Sequence, residues 1–362
     1  MAPVILEMAK HPDIFRSRVC VTAQHRKMLD QVLNLFEIYP DNDLDLMTAE
    51  QDLFSITSGV MNALRRVLQD EQPDIVLVHG DTTTAMTAAL SSYYCKIRVG
   101  HVEAGLRSGD RSAPFPEEIN RRMTGVLADI HFAPTLRAQN NLLAEGVNYQ
   151  AIHVTGNTVI DALLLVIKRI AHNKILRDSL EACFDFIDRS KRLILVTGHR
   201  RENFGPGFEN ICLALRDIAL ACPDIEIVYP VHLNPNVQEP VNRVLGAVTC
   251  PNLHLIAPVD YLSFVYLLDR SFMVITDSGG IQEEAPSLGK PVLVMRETTE
   301  RPEAIEIGTA LLVGAQREAI VTATFRLLND ENVYRAMSKA HNPYGDGMAA
   351  QRIIEIIRKS GI

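Results

Sequence analysis

The sequence has no closely spaced pair of cysteines. Its 362 residues include six cysteines, and none of them stands in a C-x-x-C motif. Scattered cysteines are typical of reduced thiols in a cytosol, and they argue against a disulfide framework or a zinc site. The six are Cys20, Cys95, Cys183, Cys212, Cys222 and Cys250.

Long apolar runs and an excess of positive charge are also missing. No apolar stretch approaches the roughly 18 residues typical of a membrane-spanning helix, and no signal peptide is visible, so we expect a cytoplasmic protein. The formal net charge of -8 argues against non-specific nucleic-acid binding. Neither internal repeats nor low-complexity segments occur.

The chain instead shows a regular alternation of apolar strands and amphipathic helices. This alternation predicts the α/β class, with parallel sheets covered by helices on both faces. Because the chain is longer than one core usually spans, two Rossmann-like doubly wound domains are expected. We predict the first over residues 1–157, completed by a C-terminal helix at 346–362, and the second over 158–345. The carboxyl ends of both sets of strands should face a cleft.

The stretch from Phe272 to Met295 combines a strand, a glycine turn and the beginning of a helix. An apolar strand ends at T-D-S-G-G, residues 276–280, and a helical pattern follows. Free backbone N–H groups at the beginning of a helix attract anions, and paired glycines allow a phosphate to approach closely. Glu284, one turn into the helix, could accept hydrogen bonds from sugar hydroxyls. Alternatively, the glycines serve only the geometry of the turn.

Four polar clusters follow predicted strands or begin helices. They are H-G-D-T-T-T at 79–84, H-V-E-A-G-L-R-S at 101–108, F-P-E-E-I-N-R-R at 115–122 and T-G-H-R-R-E-N-F-G at 197–205. The first three contribute Asp81, Glu103 and Glu117. Carboxylates crowded together raise one another's proton affinity, which suits acid–base catalysis near neutral pH. The fourth contributes His199 beside two arginines, which suit a diphosphate.

Each cluster also has a structural explanation. Asp81 could cap the helix that follows it. Glu117 lies four residues before Arg121, which is the spacing of an ordinary helix ion pair. The H-x-D at 79–81 and the H-x-E at 101–103 could be metal ligands, although neither has a familiar metal-site spacing.

The four clusters, together with T-D-S-G-G-I-Q-E-E, R-P-E-A at 301–304 and N-P-Y-G-D-G at 342–347, resemble motifs of the non-hydrolysing UDP-N-acetylglucosamine 2-epimerases. They occur in order along the whole chain, and they are long and specific. The resemblance implies two Rossmann-like domains in the glycosyltransferase-B arrangement and a homodimer. It further implies interconversion of UDP-GlcNAc and UDP-ManNAc without nicotinamide or another cofactor, by anti elimination of UDP to 2-acetamidoglucal and re-addition of UDP.

The resemblance also assigns roles to particular residues. The family's catalytic residues correspond to Asp81, Glu103, Glu117, Arg121 and His199. Its UDP-binding residues correspond to Phe264, Ser278, Gly279, Gly280, Glu284 and Arg301. In this second set the serine and the glycines hold phosphate, the glutamate holds the ribose and the phenylalanine lies near the uracil.

Two parts of the sequence depart from the family pattern. Family members begin with a strand and a G-T-R-P-E loop, whereas Met1 to Val4 match the helix after that loop. We therefore expect either that the gene start lies further upstream, or that this central strand and its substrate-contacting arginine are missing, which would leave neighbouring strands unpaired. Gln24 and His25 resemble part of a regulatory UDP-GlcNAc site found in some members. Glu50 would disfavour a diphosphate there, so weak or absent activation is expected, and the two residues could simply cap a helix.

Two other classes of function remain open. A glycosyltransferase of the same architecture would share the Gly-Gly turn and Glu284, but it would not need three carboxylates together. A catalytically impaired nucleotide-sugar binder is suggested by the expected missing strand. Transfer to an acceptor identifies the first class, and UDP-dependent melting without product identifies the second.

Overall fold

The computed structural model describes residues 1–23, 26–46, 51–246 and 250–361. The chain divides into two compact units, which we call unit 1 (Met1–Ala162 with Tyr344–Ile362) and unit 2 (Leu163–Pro343). This division falls inside a long helix, Thr158–His172, whose first residue is where the second domain was predicted to begin.

Unit 1 is built on parallel strands separated by helices. Its strands are β1 (Cys20–Val21), β2 (Asn42–Asp43), β3 (Ile75–His79), β4 (Arg98–Val102), β5 (Ile130–Ala133) and β6 (Ile152–Val154). Its helices are α1 (Ala2–Met8), α2 (Arg26–Phe36), α3 (Leu53–Glu71), α4 (Thr83–Tyr94), α5 (Glu117–Leu127), α6 (Leu136–Ala144), the beginning of α7 (Thr158–His172) and the C-terminal α16 (Ala349–Lys359). Strands β3 to β6 form a four-stranded parallel sheet in sequence order, and β1 pairs with β2 in a separate two-stranded sheet.

The last helix of the chain belongs to the core of unit 1. Ile353, Ile354 and Ile357 of α16 are buried in one cluster with Val102 and Phe132 of the parallel sheet. This spacing of three and four residues places the three isoleucines on one face of the helix. This late segment of the chain therefore completes a hydrophobic core whose other buried members lie between Val4 and Phe132.

Unit 2 contains a larger parallel sheet. Its strands are β7 (Arg192–Thr197), β8 (Ile225–Pro230), β9 (Leu253–Ile256), β10 (Met273–Thr276), β11 (Val292–Val294) and β12 (Ala310–Leu312). Its helices are the rest of α7, α8 (Lys174–Cys183), α9 (Pro206–Ala221), α10 (Pro235–Val244), α11 (Tyr261–Arg270), α12 (Ile281–Ser287), α13 (Pro302–Ile307), α14 (Arg317–Asn329) and α15 (Glu331–Ser338).

The strand order of unit 2 marks a ligand-binding position. The six strands lie in the order β12-β11-β10-β7-β8-β9, so the chain runs outward in both directions from the β7–β10 pair. Thr197 at the end of β7 is in register with Thr276 at the end of β10. In α/β folds the loops that follow such a pair of strands form the crevice where ligands bind.

Both units therefore confirm the predicted α/β class with parallel sheets. Among the described residues, none of the helices combines the length and apolar character needed to cross a membrane. The six cysteines are all unpaired.

Candidate active site

Two carboxylates of unit 1 meet around one guanidinium group. Asp81 follows β3, Glu103 follows β4, and Arg121 lies on α5. Arg121 Nη2 donates to Asp81 Oδ2 at 2.5 Å and to Glu103 Oε1 at 2.9 Å, and Nη1 donates to the main-chain carbonyl of Glu103. Arg121 is only 4% exposed. Burial disfavours its charge, but the two carboxylates outweigh burial and raise the pKa of Arg121.

This arrangement changes the predicted grouping of the carboxylates. Two of the three carboxylates, those of Asp81 and Glu103, face the guanidinium of Arg121 rather than only each other. The expected ion pair between Glu117 and Arg121 is not formed, because the guanidinium is turned toward Asp81 and Glu103. Glu117 lies in the first turn of α5, and its buried Oε2 has no hydrogen-bond partner among the described residues. The predicted cap is also different, because Thr82 rather than Asp81 accepts from the Ala85 amide of α4.

Glu103 is held in an unusual backbone conformation. Its φ angle is +63°, in the left-handed region that a residue with a side chain rarely adopts. Its Oε2 accepts from Asn157 Nδ2 at 3.1 Å, while the backbone N–H of Asn157 donates to the Tyr344 carbonyl at 2.7 Å. A Cβ at Gly80 would lie 3.3 Å from Glu103 Oε1. The glycine therefore leaves room for a carboxylate whose two oxygens are both fixed.

Two histidines behind these carboxylates are neutral near pH 7. Burial lowers the pKa of His79 to about 4 and that of His101 to about 3. His101 Nε2 donates to the Gly80 carbonyl at 2.8 Å, and His79 Nε2 lies 3.9 Å from Glu103 Oε2. In the described part of the chain, no cluster of three or more His, Cys, Asp or Glu side chains is arranged to hold a metal ion.

In unit 2, the loops after β7 and β10 are joined by Asp277. Its Oδ2 accepts from the backbone N–H of His199 at 2.9 Å and of Arg200 at 2.8 Å. The side chain of His199 is half-exposed, and its ring stacks on His232 with the centroids 5.4 Å apart. Burial lowers the pKa of His199, and the negative charge of Asp277 opposes that shift.

Two arginines flank the glycine turn that follows β10. A Cβ at Gly279 would lie 3.8 Å from both Arg200 Nη2 and Arg301 Cζ. Arg200 Nε is buried and has no hydrogen-bond partner among the described residues. Arg301 Nε donates to the buried carboxylate of Glu283. Two guanidinium groups beside one turn match the charge and the bidentate geometry of a diphosphate.

The glycines of this turn are not required by backbone geometry. Neither Gly279 nor Gly280 has a positive φ angle, so a residue with a side chain could adopt the same backbone. A Cβ at Gly280 would meet nothing within 4 Å, and Ser278 is tied into the turn because its N–H donates to Thr276 Oγ1 at 2.9 Å. Because Gly279 and Gly280 have no side chains, space is left between the arginines and the backbone of the turn, which is the space that a bound phosphate needs.

A buried carboxylate lies one turn into α12. Glu284 is 6% exposed, and its Oε1 accepts from the Tyr261 hydroxyl at 2.8 Å. Burial raises the pKa of Glu284 to about 7, although the Tyr261 hydrogen bond opposes the shift. Phe264 follows Tyr261 by three residues on α11 and so lies on the same side of that helix.

Sequence reasoning missed some residues of both clusters. Asn157 and Tyr261 stand outside the polar clusters, and Asp277 was treated only as part of the turn. The predicted regulatory residues Gln24 and His25 lie outside the described residues.

Parallel α/β units whose strand-end loops carry clustered carboxylates and a glycine turn flanked by arginines are typical of enzymes that act on nucleotide-linked substrates. Comparison with known proteins defines the family. The UDP-N-acetylglucosamine 2-epimerase family model matches residues 7–358. The chain belongs to the UDP-N-acetylglucosamine 2-epimerase family.

Similar proteins share nearly the whole length of the chain. It is 58% identical to the UDP-N-acetylglucosamine 2-epimerase of Yersinia pestis, over 99% of this chain and 94% of that protein. It is also 58% identical to the enzyme of the same name from Escherichia coli K12, over 100% of this chain and 96% of that protein. The crystal structure of the Neisseria meningitidis UDP-GlcNAc 2-epimerase bound to UDP-GlcNAc aligns with a TM-score of 0.92 at 50% identity, covering 99% of this chain and 96% of that one.

Proposed function

We propose that this chain interconverts UDP-GlcNAc and UDP-ManNAc by inverting C2 of the sugar. The observation that carries the proposal is the cluster in which Asp81 and Glu103 share Arg121, in a chain that is more than half identical to named epimerases. Epimerisation at C2 requires a base that removes a proton and an acid that returns one. The buried arginine fixes the positions of two carboxylates, and a carboxylate can act as the base and, once protonated, as the acid.

Unit 2 binds the UDP moiety in this proposal. Arg200, Arg301 and His199 contact the diphosphate, and the turn at Ser278, Gly279 and Gly280 lets its oxygens approach the backbone. Glu284 accepts hydrogen bonds from the ribose, and Phe264 lies near the uracil. The positive charges stabilise the leaving group as its negative charge develops.

Elimination and re-addition account for inversion without an external oxidant. A unit 1 carboxylate takes the C2 proton, a C1–C2 double bond forms, and the C1–O bond breaks with its electron pair going to the UDP oxygen. The products are 2-acetamidoglucal and UDP. A proton then adds to the other face of C2 as UDP returns to C1. Asp81, Glu103 and Glu117 supply the proton transfers, and no cofactor takes part.

A proton NMR time course with UDP-GlcNAc in deuterated water tests this reaction. We expect UDP-ManNAc to appear with deuterium at C2 and without added NAD. Product that retains the C2 proton would contradict proton abstraction by an exchanging carboxylate. Transfer of GlcNAc to an acceptor would favour a glycosyltransferase, and UDP-dependent melting without product would favour a nucleotide-sugar binder.

We also propose a homodimer in the cytoplasm. The dimer follows from the family resemblance, and exposed aromatic side chains such as Phe54 on α3 and Tyr94 on α4 support a contact surface. Six unpaired cysteines suit a reducing compartment. Sedimentation equilibrium at micromolar concentration tests the dimer, and a monomer mass would exclude it.

A further inference from the structure

Among the described residues, the buried carboxylate of Asp277 finds hydrogen-bond donors for only one of its two oxygens. Oδ2 accepts from the N–H groups of His199 and Arg200 and from Asn203 Nδ2 at 3.3 Å. Oδ1 has no hydrogen-bond partner in the described ranges, although the residue is 0% exposed. A buried carboxylate oxygen without a donor costs free energy. Its position is therefore most easily explained by a donor that reaches it in another state of the site.

The imidazole of His199 is the candidate donor that lies beside Asp277 Oδ1. Its Nδ1 lies 3.7 Å from Asp277 Oδ1, so a shift of less than about 1 Å would form a hydrogen bond. Besides burial, the charged or titratable groups in the described part of the chain that act on the pKa of this ring are Asp277, His232 and Arg200. Asp277 favours the protonated imidazole, whereas the other two oppose it. A bound diphosphate would add negative charge on the open side of the ring and change that balance.

We propose that Asp277 is a positioning residue for His199: when UDP binds, His199 Nδ1–H donates to Asp277 Oδ1, and the protonated Nε2 is presented to the diphosphate. The inference rests on the proposed function, because it takes UDP as the ligand of unit 2. The same carboxylate fixes the backbone of His199 and Arg200 through Oδ2. One buried residue thus sets both the position of the loop and the charge of the ring that contacts the leaving group.

The wild-type protein provides the first test, which needs no substitution. Long-range proton–nitrogen NMR spectra of the full chain at pH 7 report whether each nitrogen of His199 carries a proton. We expect a neutral ring without UDP and a ring protonated at both nitrogens with saturating UDP. A UDP complex in which Nδ1 of His199 carries no proton would overturn the proposal.

The second test compares UDP affinities of His199→Gln, Asp277→Asn and the double variant by calorimetry. Each affinity is divided by the wild-type value at the same pH, so that the titration of UDP itself cancels. At pH 6.5 we expect about a tenfold loss for each single variant and still about tenfold for the double variant, because both remove the same charged contact. The losses should shrink as pH rises, since wild-type His199 then loses its proton.

Two outcomes separate the possible failures. If His199→Gln leaves UDP affinity unchanged, the proposed UDP site itself is wrong. If His199→Gln weakens UDP binding but the double variant loses about a hundredfold in UDP affinity, the two residues act independently, and only the link to Asp277 is overturned. Asp217→Asn serves as the control, because it removes a carboxylate from unit 2 that pairs with Arg317 instead, and it should leave the pH dependence unchanged. Should Asp277→Asn fail to fold, the wild-type spectra and the pH profile of His199→Gln decide.

Discussion

Arg121 holds the unit 1 cluster together, because two carboxylates and a main-chain carbonyl accept from its guanidinium. Arg121→Ala should lower the free energy of unfolding by about 3 kcal/mol, since it leaves partly buried carboxylates without their counter-charge. Urea unfolding monitored by circular dichroism measures the change. Arg335→Ala is the control, because Arg335 is 59% exposed in an i,i+4 pair with Glu331 and should cost about 0.5 kcal/mol or less. Equal losses in the two variants would contradict the assigned role of Arg121.

Glu284 should make stability depend on pH. Because its pKa is raised to about 7 in the folded protein, the folded state holds a proton that the unfolded state has already lost. The raised pKa of Glu284 has no effect on the free energy of unfolding at pH 4, and it lowers that free energy progressively as pH rises from about 4.5 to 7. Glu284→Gln mimics the neutral acid, so it should gain about 1–3 kcal/mol over wild type at pH 8 and little at pH 5. A difference in unfolding free energy that is constant across this range would contradict the prediction.

At the same scale, sequence reasoning found the polar clusters but not the contacts within them. The spacing of Glu117 and Arg121 suggested a local pair, yet the guanidinium reaches Glu103, 18 residues earlier, and Asp81, 40 residues earlier. Contacts of that range are set by how strands lie in the sheet. They leave no periodic signal in the sequence.

Among the elements, a glycine lets α6 approach the end of β4. Gly105 has φ of +87°, and a Cβ there would overlap the Ala138 carbonyl of α6. Gly146 has the same φ of +87° but open space around it. Gly146→Ala should therefore cost only the backbone strain of about 1–2 kcal/mol, while Gly105→Ala should cost clearly more because α6 must move. Chemical unfolding of both variants measures this difference. Equal losses of unfolding free energy would show that α6 can move away from position 105 without further cost.

The sequence predicted strands better than helices. Short apolar runs bounded by turns predict strands at Ile130–Ala133 and Val292–Val294, and these are the observed bounds of β5 and β11. Helix α11 is not predictable in this way, because its apolar residues are too dense to distinguish a helix from a buried strand by period. The residues from Arg18 to Thr22 also predict a strand, but the observed β1 is only Cys20–Val21. Its partner β2 has only two residues and is too short to show any pattern.

For the molecule as a whole, α16 should control the stability of unit 1 alone. Ile353→Ala removes a fully buried side chain next to the sheet and should cost about 2–5 kcal/mol. Hydrogen exchange measured by mass spectrometry should show faster exchange in β4 and β5 and no change in the strands of unit 2. Ile356→Ala, a partly buried neighbour on the same helix, is the matched control and should have a smaller effect. Faster exchange throughout both units would show that they unfold together.

The contribution of α16 to unit 1 also has a consequence for synthesis on the ribosome. Most of unit 1 emerges before unit 2, but its core lacks Ile353, Ile354 and Ile357 until all of unit 2 has been translated. Domains generally fold as units as soon as their residues are available. Unit 2, although it begins later in the chain, is therefore the first unit whose core can be completed. Until then the nascent chain carries Val102 and Phe132 without the isoleucines that cover them in the folded protein, and apolar side chains exposed in this way favour aggregation.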